Sequence, residues 1–295
     1  MNARALALAA GFALAGLPLA ASSVDLGNLF NTVKQAVKPA DQDQEAEIGR
    51  DAAATLLGAT KPIHEAEVQQ YVNRIGLWVA MHSDRPDLPW RFAVLDSDDI
   101  DAFAAPGGYV FITRGLLLRM HNEAELAGVL GHEISHVVLK HHLNELMRAA
   151  RLDLLGQAAS YEMQQQGHDT KVLDKVAGAS RTLYSKGLDK DDEFDADRFG
   201  VVLAARAGYD PYGLLSVLQT LESVDPKSSS MQLLMATHPS PADRIAALSA
   251  SMKSGRMERF GNQPEGQGRF ERIVKKLVLP AQAGKDDDED DKEKK

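Results

Sequence analysis

Apolar residues along the chain fall into helical and strand periods that succeed one another. Leu26, Leu29, Phe30, Val33 and Val37 mark a short amphipathic helix. Longer helices are expected over residues 45–57 and 65–81, the second with Val68, Tyr71, Val72, Ile75 and Val79 on one face. The period then drops to two. Residues 90–95 alternate as a strand does, and residues 109–113 are a second strand candidate. Leu126, Val129, Leu130, Ile134, Val137 and Val138 restore the helical period, behind a capping-box pattern of Asn122 and Glu125. Another helical run ends at Gly208, with Pro211 just beyond. The rest reads mostly as helix and loop, with a last helix or strand over residues 270–279 and no internal repeat.

The central helix carries chemistry. Residues 132–136 read His-Glu-Ile-Ser-His. Positions i and i+4 of a helix point the same way, so His132 and His136 can present two imidazoles to one metal ion. Glu133 sits one residue on, within reach of a water at that ion but angled away from ligation. Two histidines and a carboxylate base are what a zinc hydrolase needs. The same pentapeptide occurs in unrelated chains as ordinary residues, so a third ligand is required.

Two residues compete for that place. His142 has the spacing of a third histidine ligand, but only if the helix breaks after His136. Nothing in Val137-Val138-Leu139-Lys140 stops a helix. A continuing helix rotates His142 by about 240° from His136, away from the metal. His141 and His142 then read as polar residues late in that helix. Glu193 is the stronger candidate. Glu193 and Asp197 are again i, i+4, so a second helix can present Glu193 to the metal and Asp197 to the back of a ligand imidazole. An acidic first turn that merely suits the helix dipole is the plainer alternative.

At this point the chain resembles metallopeptidase family forty-eight, the group of CAAX prenyl proteases, HtpX-like heat-shock proteases and their periplasmic relatives. The resemblance is carried, in order, by Ala102-Phe103-Ala104-Ala105-Pro106-Gly107-Gly108-Tyr109-Val110, by the 132–136 motif, by Glu193 to Asp197 continuing Arg198-Phe199-Gly200, and by His238-Pro239-Ser240-Pro241-Ala242-Asp243-Arg244. It spans residues 43–250, roughly. The family usually has Asn where this chain has Asp101. The resemblance implies an α+β fold: a mostly helical gluzincin-type domain with a small β-sheet beside the zinc helix. It implies one Zn2+ per chain on His132, His136 and Glu193, with Asp197 behind a ligand and Glu133 as general base. It also places His238 at the active site, as the candidate donor to an oxyanion or as a ligand in a latent state. Arg244 would orient this region through a carboxylate.

Gly107 and Gly108 precede the second strand candidate. Glycines allow close backbone approach, and an edge strand there would pair with an extended peptide through Tyr109, Val110 and Phe111. A plain turn before a structural strand is the alternative. Main-chain recognition of this kind favours unfolded or misassembled polypeptides as substrates.

The 295 residues are 44% hydrophobic and 25% charged, ordinary for a globular enzyme. A net charge of −9 argues against a nucleic-acid partner. Arg4 followed by an apolar run and Ala20-Ala21-Ser22-Ser23 reads as a cleaved signal peptide, and no cysteine is present for a lipid anchor. The expected organisation is a signal peptide (1–22), an amphipathic helix or linker (23–42), the zinc metallopeptidase domain (43–252), a C-terminal extension (253–280) and an acidic disordered tail (281–295). Residues 160–192 are a loosely patterned connection between the two ligand helices. The expected protein is a periplasmic zinc endopeptidase of envelope quality control, with at most peripheral membrane contact. A protease-like chaperone or assembly factor with little turnover is the alternative.

Overall fold

One helix is buried on every side, its polar residues included, and it sets the layering here. The computed structural model describes residues 40–159, 179–180, 182–253, 260 and 266–277. The expected signal peptide, nearly all of the amphipathic helix, much of the 160–192 connection and the acidic tail lie outside them. The buried helix is Glu123–Val138, and each of its residues from Glu123 to Val137 is buried. Around it stand Ala66–Ala80, Lys190–Arg206 and Gly213–Glu222. In chain order the helices are α1 (Gln42–Ala59), α2 (Ala66–Ala80), the single turn α3 (Arg114–Leu117), α4 (Glu123–Val138), α5 (His141–Ala159), α6 (Lys190–Arg206), α7 (Gly213–Glu222), α8 (Ser229–Thr237), α9 (Pro241–Met252) and α10 (Gln267–Val274). Among the described residues, no helix is long and apolar enough to cross a membrane.

The Asn122 side chain caps α4 by accepting from the Glu125 N–H at 2.9 Å. Glu125 reaches back one residue further than a capping box requires, accepting from the His121 N–H at 2.7 Å. The expected 270–279 element is helical: Phe270, Ile273 and Val274 of α10 join the main core, and Arg269 pairs with the buried Glu123.

Three strands form the sheet: β1 (Arg91–Leu95), β2 (Ala102–Ala105) and β3 (Tyr109–Thr113), in the order β1-β3-β2. β1 pairs with β3 in parallel, and β2 with β3 antiparallel. β2, with only four residues and no alternating pattern, did not announce itself. Its presence corrects one expectation. Tyr109, Val110 and Phe111 belong to the central strand, whose two sides are both hydrogen-bonded, so β3 offers no free edge to a peptide. Gly107 and Gly108 form the β2–β3 turn with φ of 77° and 100°, and the Gly107 N–H donates to Glu45 on α1 at 3.4 Å. That is the plain-turn alternative. Among the described residues the free edge is β2, because the other outer strand, β1, is covered by residues 61–63 through Ile63 N–H to Val94 O and Asp96 N–H to Lys61 O.

The second correction concerns the end of α4. The helix stops at Val138, and Lys140 takes the left-handed conformation (φ 62°), alone among described non-glycine residues. A new helix, α5, starts at His141 in another direction. Local sequence carries no stop signal here. Tertiary contacts impose one: Lys140 Nζ lies 3.4 Å from the buried Glu45 carboxylate, which Arg85 also grips at 2.7 and 3.0 Å.

The crossing of α4 and α6 is tighter than ordinary side chains allow. A Cβ on Gly131 would lie 2.7 Å from the Gly200 carbonyl oxygen, and one on Gly200 would lie 2.6 Å from the His132 backbone nitrogen. Each helix presents a glycine where the other's backbone passes. Gly200→Ala should therefore destabilise the metal-free protein by about 1–3 kcal/mol through overpacking, although alanine is intrinsically the better helix former by about 1 kcal/mol. Gly58→Ala in α1, where a Cβ meets nothing within 4 Å, should leave stability unchanged or raise it. Denaturant unfolding of both variants checks this; a stable Gly200 variant would mean the crossing can relax.

Candidate active site and metal centre

The glycine crossing brings the start of α6 over the middle of α4. His132 Nε2 and His136 Nε2 are 3.1 Å apart, and each lies 3.6 Å from an oxygen of Glu193. Tetrahedral zinc with ligand bonds of about 2.05 Å requires ligand atoms about 3.3 Å apart, so the triangle fits an ion of that kind. The donors also have the right chemistry. Glu193 is buried, and its Oε2 has no hydrogen-bond partner among the described residues. Burial pushes its carboxyl up to about 8. Burial likewise lowers the pKa of His132 and His136, leaving neutral rings with free lone pairs. His142 is not part of this group. Its ring centroid lies 5.1 Å from that of His136, its face is stacked on Tyr184, and its buried Nδ1 has no partner among the described residues.

Behind the triangle, each ligand histidine has a different support. His132 Nδ1 lies 2.9 Å from Asp197 Oδ1. Arg244, from the first turn of α9, grips Asp197 with two bonds of 2.6 and 3.0 Å. Burial alone would raise the Asp197 carboxyl, but the Arg244 charge and the hydrogen bonds from Arg244 and His132 hold it far below the usual range. His136 Nδ1 meets His141 Nδ1 at 3.0 Å. His141 is buried rather than a polar residue late in α4, because the chain has turned at Lys140. Sequence reasoning missed this contact, since its cause is the non-local break and not a motif.

Glu133 and His238 complete the centre. Glu133 is buried; burial first, and the neighbouring Glu193 charge second, push its carboxyl well above the usual value. A bound cation would oppose both. His238 caps the C-terminus of α8, its Nδ1 lies 2.9 Å from Thr237 Oγ1, and its Nε2 lies 3.7 Å from Glu193 Oε2. A cleft bordered by Phe103, Glu133, His136, Tyr184, Glu193 and His238 opens between the ligands and β2. Asp101, one residue before β2, is fully buried. Its Oδ1 accepts from the Ala102 N–H at 2.9 Å and its Oδ2 has no partner among the described residues. Burial pushes its carboxyl up to about 8. A neutral acid retains one donor, as an asparagine at this place would.

The outer edge of β2 faces the cleft. Thr113 N–H donates to Asp101 O, so residues of that parity face β3, and Ala102 and Ala104 turn their backbone groups outward. Two of these groups are taken: the Ala102 N–H donates to Asp101 Oδ1 at 2.9 Å, and Tyr184 Oη donates to Ala104 O at 2.8 Å. Nothing in the sequence singled out Tyr184.

The model of peptidase family M48 matches residues 66–252. The chain belongs to peptidase family M48. This is a family of metallopeptidases, and it accounts for the α4 motif and its partner on α6. The chain is 30% identical over 209 residues to the beta-barrel assembly-enhancing protease of Escherichia coli K12, covering 69% of this chain and 42% of that relative. It is 30% identical over 170 residues to the metalloprotease YcaL of the same organism, covering 57% of this chain and 64% of the relative. To the mitochondrial metalloendopeptidase OMA1 of Schizosaccharomyces pombe it is 27% identical over 200 residues, covering 64% and 54%. The chain thus spans less than half the length of the beta-barrel assembly-enhancing proteases it matches.

A pH dependence follows from Glu193. Below its pKa of about 8 the metal-free protein carries a proton there, which an incoming cation must displace. Affinity for Zn2+ should therefore fall as pH drops, by about tenfold per unit between pH 8 and pH 6 from this group alone. Competition with a chelator of known pH behaviour measures it, and a flat profile would contradict the proposed protonation.

Proposed function

We propose that this chain is a zinc-dependent endopeptidase that hydrolyses peptide bonds of unfolded or misassembled cell-envelope proteins. One observation carries the reading: a buried His132–His136–Glu193 triangle lies beside a buried carboxylate, Glu133, and below the free edge of β2. When bound, zinc would supply Lewis acidity, polarising the scissile carbonyl and lowering the pKa of a water from 15.7 to roughly 7. Glu133 takes the proton of the attacking water and passes it to the leaving amine. His238 donates to the developing oxyanion. Asp197, held by Arg244, fixes the tautomer and ring direction of His132. Arg244 acts through Asp197 rather than on substrate.

Substrate enters as an extended segment added to β2, and not to β3 as the strand pattern suggested. Binding then runs mainly through main-chain hydrogen bonds, which need a free strand and read side chains weakly. Folded proteins rarely offer one without local unfolding. The relatives' names, beta-barrel assembly-enhancing protease among them, fit a role in envelope quality control. The N-terminal apolar run followed by small residues fits export to the periplasm through a cleaved signal.

A second reading is favoured by Tyr184. Its hydroxyl fills the Ala104 carbonyl that a substrate strand would use, so the cleft is part-closed. That suits a chaperone or assembly factor with little turnover.

Identifying peptides released in cell-envelope extracts by the wild type and by Glu133→Gln tests the main reading. The variant should bind metal and keep its fold but release none of the wild type's products, because the amide cannot take the proton. Equal products from both would remove Glu133 from the mechanism. Products from neither would favour the chaperone. Tyr184→Phe separates the two readings further. Losing one hydrogen bond of about 1 kcal/mol should raise kcat/KM on a permanently unfolded protein by roughly fivefold. An unchanged value would mean that the hydroxyl does not compete with substrate.

A further inference from the structure

Of the two ligand histidines, only His132 has the support that the motif predicts. His136 Nε2 faces Glu193 and His132, so Nε2 is the atom turned to the metal. Nδ1 of the same ring must then carry the hydrogen. It points at His141 Nδ1, 3.0 Å away, with the two rings 75° apart and their centroids 5.1 Å apart. His141 Nδ1 must therefore be a bare lone pair, and His141 Nε2 carries that ring's hydrogen. Nε2 faces Asp192 Oδ1 on the first turn of α6, 3.7 Å away. One orientation of hydrogens satisfies the His136–His141 contact and leaves the His141 Nε2–H turned toward Asp192, at ion-pair rather than hydrogen-bond distance.

We propose that His141 is a positioning residue of the metal centre, accepting the Nδ1–H of His136 and so fixing that ligand's tautomer and ring rotation. The inference rests on reading His132, His136 and Glu193 as the ligands. The backbone supports it independently. A helix running straight on from α4 would carry His141 five residues past His136, about 140° round the helix axis. The left-handed Lys140 abolishes that rotation and folds the next residue back against the ligand. A non-glycine residue in this conformation is strained and persists only where its surroundings over-determine it. Here Glu45 holds the Lys140 ammonium, while Leu143 and Leu146 of α5 pack with Ile48 and Leu183 in a small core of their own. The strained turn thus has an observable product, the His136–His141 contact.

The two supports differ in kind. His132 donates to a carboxylate whose charge Arg244 balances. His136 donates to a neutral imidazole, which adds no charge beside a centre already ringed by Glu133, Glu193, Asp101 and Asp197. Asp192 lies further out and is half-exposed, so solvent screens most of its charge.

The test measures Zn2+ affinity of the stripped full chain by chelator competition, with thermal unfolding of each metal-free variant alongside. His141→Leu, which keeps bulk and removes the acceptor, should weaken Zn2+ binding roughly 10–100-fold. His141→Asn puts a carbonyl oxygen where Nδ1 was and should bind within about threefold of the wild type. His141→Gln places its carbonyl near the Nε2 position instead, and should behave like leucine. If the leucine variant fails to fold, the asparagine–glutamine pair carries the comparison. Equal affinities for asparagine and glutamine, or wild-type affinity in the leucine variant, would overturn the proposal. Glu193→Ala is the control: if it too binds Zn2+ as the wild type does, the ligand assignment has failed, and not the role of His141 alone.

Discussion

The close crossing of α4 and α6 is the constraint from which the centre follows. Two backbones can approach this nearly only where neither carries a side chain, and Gly131 and Gly200 meet there. Gly131 precedes His132 by one residue, and Gly200 lies two turns after Glu193, on the same face. The position of α6 on α4 is thereby fixed to within the tolerance of van der Waals contact. Glu193 arrives over the histidines and Asp197 behind His132 without any loop having to be ordered. A site built on two rigid helices keeps its ligand geometry better than one built on loops.

Much of this was legible in the chain. The i, i+4 pairs at His132/His136 and Glu193/Asp197 announce themselves because helical period and chemistry coincide in one short stretch. β1 shows its alternation, and β3 reads as a short apolar, β-branched and aromatic run. What stayed hidden depends on distant residues. β2 is four residues long and is defined by its pairing with β3, so its edge and the central place of β3 could not be read locally. The end of α4 is set by Glu45 and by the α5 packing, not by a glycine or proline at residues 137–140. His141, Asp101 and Tyr184 acquire meaning only from that geometry: a histidine turned back by a strained residue, a buried acid with one oxygen unpaired among the described residues, and a phenol on a strand edge.

The centre also shows how charge is admitted to an interior. Four carboxylates, Asp101, Glu133, Glu193 and Asp197, are buried around one cleft, facing a single buried arginine. Only Asp197 is compensated in full, by a bidentate Arg244 contact. Desolvation drives the other three upward in pKa, so without a cation they shed their charge instead of bearing it. The metal-free centre thus favours the neutral forms of these three groups, and a bound cation would favour the ionised ones.

The Arg244 contact has a consequence for when the centre is assembled. His132 and Arg244 are separated by 112 positions, and Asp197 and Arg244 by 47. Loops of that length close late, after local helices have formed. A chain emerging from synthesis would present His-Glu-Ile-Ser-His long before α9 existed to hold Asp197 ionised behind His132. The most distant residue in sequence thus serves as a timer. Asp197 lacks its counter-charge, and His132 its fixed support, until nearly the whole domain is available.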